Sequence, residues 1–251
     1  MNKAVCLLFA SILWSNALFA QQSDGYGINL PKFYRQKLHF GFSISGTQAE
    51  FALVPKPNSQ LKDTLINDRL YQINSVLPIK GNGFALGFVG DIRLAEYLRL
   101  RFCPGVSYAF RKIEYRLNSL PLDSIKFFEK SVESFFVMLP LELKIQSKRQ
   151  ANFSAYVSGG SGFAIDLYAL KKSGAAGGPN QIAENIKLIP NDFYYSAGAG
   201  TDFYLNYFKL GLEIKLLTGF KNLLKPSSNV FSQSLNTIKN QMLVFSITFE
   251  G

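Results

Sequence analysis

Hydrophobic and polar residues alternate along much of this chain with a period of two. In the stretch KLGLEIKLLTGF, residues 209–220, leucine or isoleucine alternates with lysine, glutamate or glycine. A helix repeats every 3.6 residues, so this period indicates a β-strand with one apolar and one polar face. We find eight such segments, at about residues 38–46, 82–94, 97–116, 132–147, 152–168, 192–204, 209–220 and 240–249.

The third segment, residues 97–116, contains an irregularity. Its apolar residues change face near Lys112. An inserted residue moves every following side chain to the other face of a strand, so the pattern predicts a β-bulge at this point.

The connections between segments alternate in length. Short links fall near residues 95–97, 148–150 and 206–207, and longer ones near 47–81, 117–131, 169–191 and 221–239. Short periplasmic turns and long outer loops are typical of up-and-down barrels in bacterial outer membranes. We therefore predict an all-β fold, an eight-stranded antiparallel transmembrane β-barrel over residues 37–251.

The direction of the apolar face has to be decided separately, because a secreted lipocalin-like cup with an apolar interior also alternates. Glycine and serine recur on the polar face, as expected where side chains crowd a narrow lumen. Aromatic residues gather near the segment ends, as in interfacial girdles. Both features favour an apolar face directed at lipid. The aromatic residues concerned are Tyr97, Tyr108, Phe110, Tyr194, Tyr195, Tyr204, Tyr207 and Phe208.

The first residues predict export. Residues 1–20 combine an early lysine, an apolar core and a small-residue cleavage pattern, which indicates a secretory signal peptide; an N-terminal membrane anchor is the alternative. Residues 21–36 are then a periplasmic N-terminal stretch. Cleavage leaves Cys103 as the single cysteine, so we expect no disulfide framework and an inert buried thiol.

The formal net charge of +10 at pH 7 raises the question of an anionic partner. Export and the scattered placement of the basic residues argue against nucleic acid. Outer-membrane lipid and lipopolysaccharide, which are anionic surfaces, fit the charge better.

The polar face of the segments carries charges of both signs. Buried charges in a narrow lumen must pair or stay hydrated, so a structural ion-pair network is one interpretation and a site for a partner segment is the other. Four of these residues flank the tight turn near 95–97 and should lie close to one mouth. The candidate residues are Asp91, Arg93, Arg99, Arg101, Arg111, Glu142, Lys144, Asp166, Asp202, Glu213 and Lys215.

Candidate catalytic chemistry is sparse. His39 is the single histidine and shares its face with Ser43 and Ser45, but no carboxylate is clearly placed to orient its ring. One histidine and one mature cysteine make no metal site. We expect no catalytic, cofactor-binding or metal-binding residues and no cofactor.

Several stretches together resemble the PorT family, also called SprT, of Bacteroidetes outer-membrane barrels. The stretches are KLHFGFS at 37–43, GFALGFVGDIRLAEYLRLRFCPGVSYAFRKIEY at 83–115, VESFFVMLPLELKIQSKR at 132–149, YYSAGAGTDFYLNYFKLGLEIKLLTGFKNLL at 194–224 and FSQSLNTIKNQMLVFSITFE at 231–250. The resemblance is one of overall pattern and carries no catalytic motif.

This resemblance implies a non-enzymatic outer-membrane component required for type IX secretion, the export of proteins with C-terminal sorting domains, and for linked gliding motility. Other proteins of the secretion machinery are the implied partners. Two alternatives stay open: a surface adhesin or receptor that binds external ligands through long loops, and a barrel enzyme that modifies lipid A through His39.

Overall fold

The computed structural model describes residues 27–33, 36–56, 64–66, 69–120, 124–173, 188–225, 232 and 234–251. The predicted signal peptide lies outside these residues. Within them, no helix is long and apolar enough to cross a membrane. The strands are β1 Leu38–Pro55, β2 Thr64–Ile66, β3 Arg69–Ile79, β4 Gly81–Arg93, β5 Leu98–Phe102, β6 Gly105–Leu120, β7 Ser124–Gln146, β8 Phe153–Asp166, β9 Asn191–Tyr204, β10 Lys209–Gly219 and β11 Leu235–Glu250, and the helix is α1, Leu167–Ser173.

The strands form one antiparallel sheet that closes into a ring. β1 pairs with β11 along one edge and with β4 along the other, which removes the free edges of the ring. We call each strand position around the ring a wall. β3 and β4 are consecutive parts of one wall, as β5 and β6 are of the next, and these two walls pair with each other while β5 and β6 also pair with β7. The ring therefore has eight walls, which confirms the predicted up-and-down barrel.

Strand β10 shows which face of the wall points outward. Leu212, Ile214 and Leu216 are exposed on the outside of the barrel, whereas Lys209 and Glu213 are buried in the lumen. Apolar residues also cover the outside of the other walls, and Phe88 has 74% of its surface exposed. The apolar face is thus directed outward, as in an outer-membrane barrel.

The wall formed by β5 and β6 corrects the predicted bulge near Lys112. The strand is interrupted earlier, at Cys103 and Pro104, where proline has no N–H to donate to the ladder. The register on β7 continues across this gap without an extra residue, from Phe102 opposite Leu141 to Gly105 opposite Met138. Odd-numbered residues therefore face inward along the whole wall.

The apparent phase change reflects a change in what fills the barrel. Beyond Arg111 the inward residues become apolar, and Ile113 and Tyr115 are fully buried. The opposite face becomes charged there, and Lys112 forms an ion pair with Glu129 of β7 at 2.8 Å. The strand keeps its phase while the polarity of its two faces reverses.

We call the part with the reversed pattern the upper barrel, comprising residues 48–55, 69–80, 112–120, 124–133 and 235–241, and the remaining wall the lower barrel. Much of the upper barrel falls where the sequence predicted long loops. That prediction was wrong because strands with a charged outer face have the composition of loops. Its buried core includes Phe51, Tyr71, Ile73, Val76, Ile113, Tyr115, Leu117, Leu235 and Ile238.

The lower barrel has the height of a membrane. From Phe135 to Ile145 of β7 the strand advances about 33 Å at roughly 3.3 Å per residue. A tilt of about 40° reduces this to about 25 Å, which matches the apolar band of outer-membrane barrels.

The two ends of the barrel differ as the sequence predicted. Turns at 94–97, 147–152 and 205–208 join the walls at the end where β1 begins and β11 ends. We call it the short-turn end, the end that faces the periplasm in such barrels.

Two tyrosines assigned to the aromatic girdle, Tyr194 and Tyr204, lie inside the lumen instead, as does Tyr156, which was not assigned to it. Tyr194 of β9 lies opposite Gly162 of β8, and Tyr156 of β8 lies opposite Gly200 of β9. A Cβ at Gly200 would lie 2.5 Å from Cζ of Tyr156, so glycine is required for the ring to cover the neighbouring wall. Tyr204 is buried near the short-turn end.

Candidate functional site: the charged lumen

The inward positions of the lower barrel form one buried charge cluster, which we call the lumen network. Alternation along the walls brings charges from six strands, β4, β5, β7, β9, β10 and β11, together in the lumen. Their number is balanced, with five cations against five carboxylates. The members are Arg99, Arg101, Lys144, Lys209 and Lys215, with Asp91, Glu142, Asp202, Glu213 and Glu250.

Arg101 of β5 connects three walls. Its Nη2 donates to Oε1 of Glu250 at 3.1 Å, and its Nη1 donates to Oε2 of Glu213 at 3.5 Å. Its Nη2 also lies 3.9 Å from Oδ2 of Asp91, whose other oxygen is 2.5 Å from Nε of Arg99. The guanidinium thus links β4, β10 and β11 across the lumen.

The second group of contacts centres on Asp202 of β9. Oδ2 of Asp202 lies 2.6 Å from Nζ of Lys144 and 3.7 Å from Nζ of Lys209. Lys209 in turn lies 2.6 Å from Oε2 of Glu250. Nε2 of Gln146 donates to the same carboxylate oxygen at 3.3 Å.

The third group lies on the side of the network nearer the upper barrel. Nζ of Lys215 is 2.7 Å from Oε2 of Glu142 and 3.4 Å from Oε2 of Glu213. The remaining oxygens of these carboxylates accept hydrogen bonds from Ser196 at 3.0 Å and Ser158 at 2.6 Å.

These contacts make the network a filling of the lumen. Burying an isolated charge costs on the order of several kcal/mol of folding free energy. This cost is offset only when the charge has an opposite partner and further hydrogen bonds. Every member of the network has an opposite charge within 4.0 Å, while Oδ2 of Asp91, Nη2 of Arg99 and Oδ1 of Asp202 have no hydrogen-bond partner among the described residues. The side chains therefore close the lumen of the lower barrel and join its walls.

Arg111 forms a separate layer where the lower and upper barrels meet. It donates to the side-chain oxygens of Asn240 and Ser134. Its Cζ lies 4.2 Å from the ring centroid of Phe51 and 5.2 Å from that of Phe136. A cation between two rings suits the transition from a charged to an apolar interior.

Two candidate residues lie outside both layers. Asp166 ends β8, and its Oδ1 accepts hydrogen bonds from the backbone N–H groups of Tyr168 and Ala169, which makes it the N-cap of α1. Arg93 lies at the short turn 94–97, where its Nε donates to the carbonyl of Ala95. The other candidates from that turn, Asp91, Arg99 and Arg101, are buried in the network.

Sequence reasoning missed Lys209 and Glu250 as network members. Lys209 directly precedes Leu210, and Glu250 directly follows Phe249. Both apolar residues belong to the outward face, so their neighbours point into the lumen. Lys209 already lies within the alternating stretch 209–220, and extending the alternation by one residue past Phe249 would have found Glu250.

The geometry around His39 offers no catalytic pair. The ring is buried and stacks on Phe33 with 3.8 Å between centroids. Among the described residues, neither ring nitrogen has a hydrogen-bond partner, and Ser45 donates to Ser246 instead. A nucleophilic serine needs a base within hydrogen-bond reach.

Cys103 and the metal-ligating residues offer no further chemistry. Cys103 is unpaired and borders a lumen cavity of about 90 Å³, too small for a peptide segment. No group of three or more histidine, cysteine, aspartate or glutamate side chains suited to a metal occurs in the described part of the chain.

Comparison with known proteins gives a family match. A family model described as outer membrane protein beta-barrel domain matches residues 19–225. No curated protein sequence matches this chain.

Several solved structures are similar in fold. Neisserial surface protein A is 10% identical, with 83% of this chain and 95% of that chain covered and a TM-score of 0.38. OprG from Pseudomonas aeruginosa is 14% identical, with coverages of 86% and 96% and a TM-score of 0.37. The outer membrane protease OmpT from Escherichia coli is 10% identical, with coverages of 91% and 99% and a TM-score of 0.40.

Proposed function

This chain belongs to the outer membrane protein β-barrel domain family, and we propose that it serves type IX protein secretion as a non-enzymatic component of the outer membrane. In this role it supports the export of proteins with C-terminal sorting domains and the linked gliding motility. The resemblance to the PorT family supplies the pathway, and the filled lumen supplies the mode of action.

The observation that carries the proposal is the closure of the barrel by its own side chains. The lumen network joins the walls through ion pairs, and the lumen cavity that Glu142 and Lys215 border measures about 90 Å³. Secreted cargo therefore does not pass through this barrel. A closed barrel acts on secretion through its surfaces, as a scaffold for other machinery proteins in a membrane of lipid and lipopolysaccharide.

The short-turn end supplies a contact surface for that machinery. Tyr207, in the turn 205–208, has 89% of its surface exposed, and Lys148 is exposed in the turn 147–152. Aromatic residues are enriched in protein interfaces, and an exposed lysine can pair with an acidic partner surface. The buried residues Arg99 and Arg101 act instead on the fold of the barrel.

Deletion of the gene followed by fractionation of sorting-domain cargo tests the secretion role. We expect cargo to accumulate in the periplasm and to return to the medium when the wild-type chain is restored. Restoration with Tyr207→Ser and Lys148→Glu together tests the short-turn surface, and Thr201→Ser on the outer wall serves as the matched control. Normal export in the deletion strain would contradict the proposal.

A second candidate function, a surface adhesin or receptor, is favoured by the exposed apolar residues of the upper barrel. Ile125, Phe127 and Val54 are all more than half exposed beyond the membrane band. Replacing Ile125 and Phe127 by serine should abolish attachment to an external ligand and leave export intact if this role is the correct one. Reduced export in that variant would favour the secretion role instead.

A barrel enzyme acting through His39 is the remaining alternative. The ring lies at the short-turn end under Phe33 and makes no pair with a serine. We expect His39→Ala to leave the mass of lipid A unchanged, and mass spectrometry of lipid A from the variant strain checks this.

A further inference from the structure

Residues 27–33, which we call the N-terminal segment, lie across the mouth of the barrel at the short-turn end. The segment precedes β1 and contacts the turn 147–152 as well as the start of the turn 205–208. These contacts join residues more than a hundred positions apart in the chain. The segment therefore occupies a surface that the barrel itself builds.

The barrel holds the backbone of the segment through two side chains of the turn 147–152. The guanidinium of Arg149 donates to the carbonyls of Asn29 and Leu30, the latter at 3.3 Å. Oδ1 of Asn152 accepts from the backbone N–H of Asn29 at 2.9 Å, and its Nδ2 donates to the carbonyl of Gly27 at 3.4 Å. The held backbone is bent, since the N–H of Phe33 donates to the carbonyl of Leu30 at 3.1 Å. Such backbone contacts recognise this bend without regard to most of the side chains of the segment.

Two further contacts hold the side chain of Arg149 in the position from which it binds the segment. Its Nη2 also donates to Oδ1 of Asn152 at 2.8 Å, and its guanidinium lies 3.9 Å from the ring centroid of Tyr204. Partial burial lowers the pKa of Arg149, while the nearby Tyr204 raises it. Arginine stays charged at neutral pH because its ordinary pKa exceeds 12.

One side chain of the segment enters the lumen. Phe33 is 7% exposed, and its ring stacks on His39 with centroids 3.8 Å apart and an interplanar angle of 18°. Tyr204 meets the same ring edge-on at 6.2 Å, and Nζ of Lys209 lies 5.4 Å from its centroid. His39, Tyr204 and Lys209 form a slot that fits an aromatic ring by stacking and cation–π contact.

The slot belongs to the barrel and not to the segment. His39 lies on β1, Tyr204 ends β9 and Lys209 begins β10, where its ion pair with Glu250 holds it in place. Tyr204 also accepts a hydrogen bond from Gln146 at 2.8 Å. Removing the ring of Phe33 therefore leaves these walls in position and the slot empty.

We propose that the short-turn mouth is a recognition site for a short peptide that bends into a turn and carries one aromatic side chain, and that the N-terminal segment occupies this site within the same chain. The ligand class follows from the resident segment: backbone carbonyls held by Arg149, followed by an aromatic ring in the slot. Peptides of partner proteins with this pattern compete for the site. The inference stands whether or not the secretion role holds.

The N-terminal segment and an added peptide compete for the same site, and this competition determines the peptide affinity that an experiment measures. A segment tethered to its own site acts at millimolar effective concentration, so the filled site excludes a free peptide. Weakening the resident segment must then raise the affinity for a peptide added in solution. Losing the aromatic ring of the added peptide must abolish that gain.

The test uses the full chain in lipid nanodiscs and a fluorescent peptide of sequence GINLPKFYRQ, residues 27–36. Fluorescence anisotropy should show Phe33→Ala binding this peptide at least about tenfold more tightly than the wild-type chain does. The same peptide with alanine in place of its single phenylalanine should bind neither protein. Phe33→Tyr and Ile28→Ala are the controls, and both should behave as wild type because the slot remains filled.

A second variant guards against a folding defect in Phe33→Ala. Asn29→Ala removes the hydrogen bond that Nδ2 of Asn29 donates to the carbonyl of Tyr204 at 3.0 Å but leaves the slot residues unchanged, so peptide binding should rise here as well. The proposal is overturned if both variants fold, as shown by the same gel mobility shift on heating, and neither gains affinity. It is equally overturned if the alanine peptide binds as tightly as the aromatic one.

Discussion

The lower and upper barrels are built from the same strands with opposite arrangements of polar and apolar side chains. On β7, Leu141 faces out and Lys144 faces in, with lipid outside and charge inside. Farther along the same strand Glu129 faces out and Val132 faces in, so the outside is charged and the inside apolar. The strand itself does not change its phase between the two regions.

This difference separates two kinds of information in the sequence. A period of two reports that a segment is a strand, because neighbouring side chains point to opposite faces. The polarity of each face reports what that face touches, which is lipid or water outside and ion pairs or apolar side chains inside. The reversal near Arg111 therefore marks the membrane boundary.

Breaking the lumen network should have the largest effect. Asp202→Ala leaves Lys144 and Lys209 without a shared carboxylate, and losing one partner of a buried pair costs about 3–5 kcal/mol. Denaturant titration in lipid vesicles should show this loss in the free energy of unfolding. Thr201→Ala, the outward neighbour on β9, is the control, and an equal loss in both variants would contradict the role of the network.

The outer surfaces of the two regions can be compared by making the same kind of substitution at two positions of β7. Leu141→Arg places a charge in the lipid band and should cost about 2–4 kcal/mol of unfolding free energy. Ile125→Arg, on the same face of the upper barrel, should cost little because the residue meets water. The two positions have similar exposures of 51% and 56%, so a similar cost at both would place Ile125 in lipid.

A substitution of Arg111, in the layer between the lower and upper barrels, should lower the free energy of unfolding by a smaller amount. Arg111→Lys keeps the charge but loses the planar group that contacts Asn240, Ser134 and two rings, and we expect a loss of about 1–2 kcal/mol. The same denaturant titration measures it. Lys130→Arg, on the neighbouring strand β7, is the control; an unchanged stability in Arg111→Lys would show that only the charge matters at this layer.

The smallest effect is expected for the ion pair on the outside of the upper barrel. Lys112 and Glu129 are partly exposed, so Glu129→Gln should change the unfolding free energy by less than about 1 kcal/mol. Added salt should reduce the difference further, because salt screens exposed charges. A loss as large as that of Asp202→Ala would mean that the upper barrel is shielded from water.

The sequence predicted the fold well where one face of each strand met lipid. The eight lower segments, their order and their outward apolar face follow from a period of two and from the connection lengths. The strands of the upper barrel were predicted as loops because their charged outer face hides the pattern. The interruption at Cys103 and Pro104 was missed because it does not disturb the alternation.

The candidate site was predictable in kind but not in its membership. Inward charges such as Arg101 and Glu142 were found by alternation, since each lies between outward apolar neighbours. Asp166 and Arg93 showed the same alternation, but their position at strand ends places them at a helix cap and in a turn. Which charges pair across the lumen depends on register between distant strands, which alternation within one strand does not contain.

Site-directed spin labelling along β7 tests the reversal most directly. In a Cys103→Ser background, single labels at residues 125–145 report access to oxygen, which concentrates in lipid, and to a water-soluble nickel complex. We predict that odd positions are reached by oxygen from 135 to 145 and by nickel from 125 to 133, while even positions are protected from both. A switch of the accessible positions from odd to even between 131 and 135 would contradict the account, because it would reveal a bulge instead of a change of surroundings.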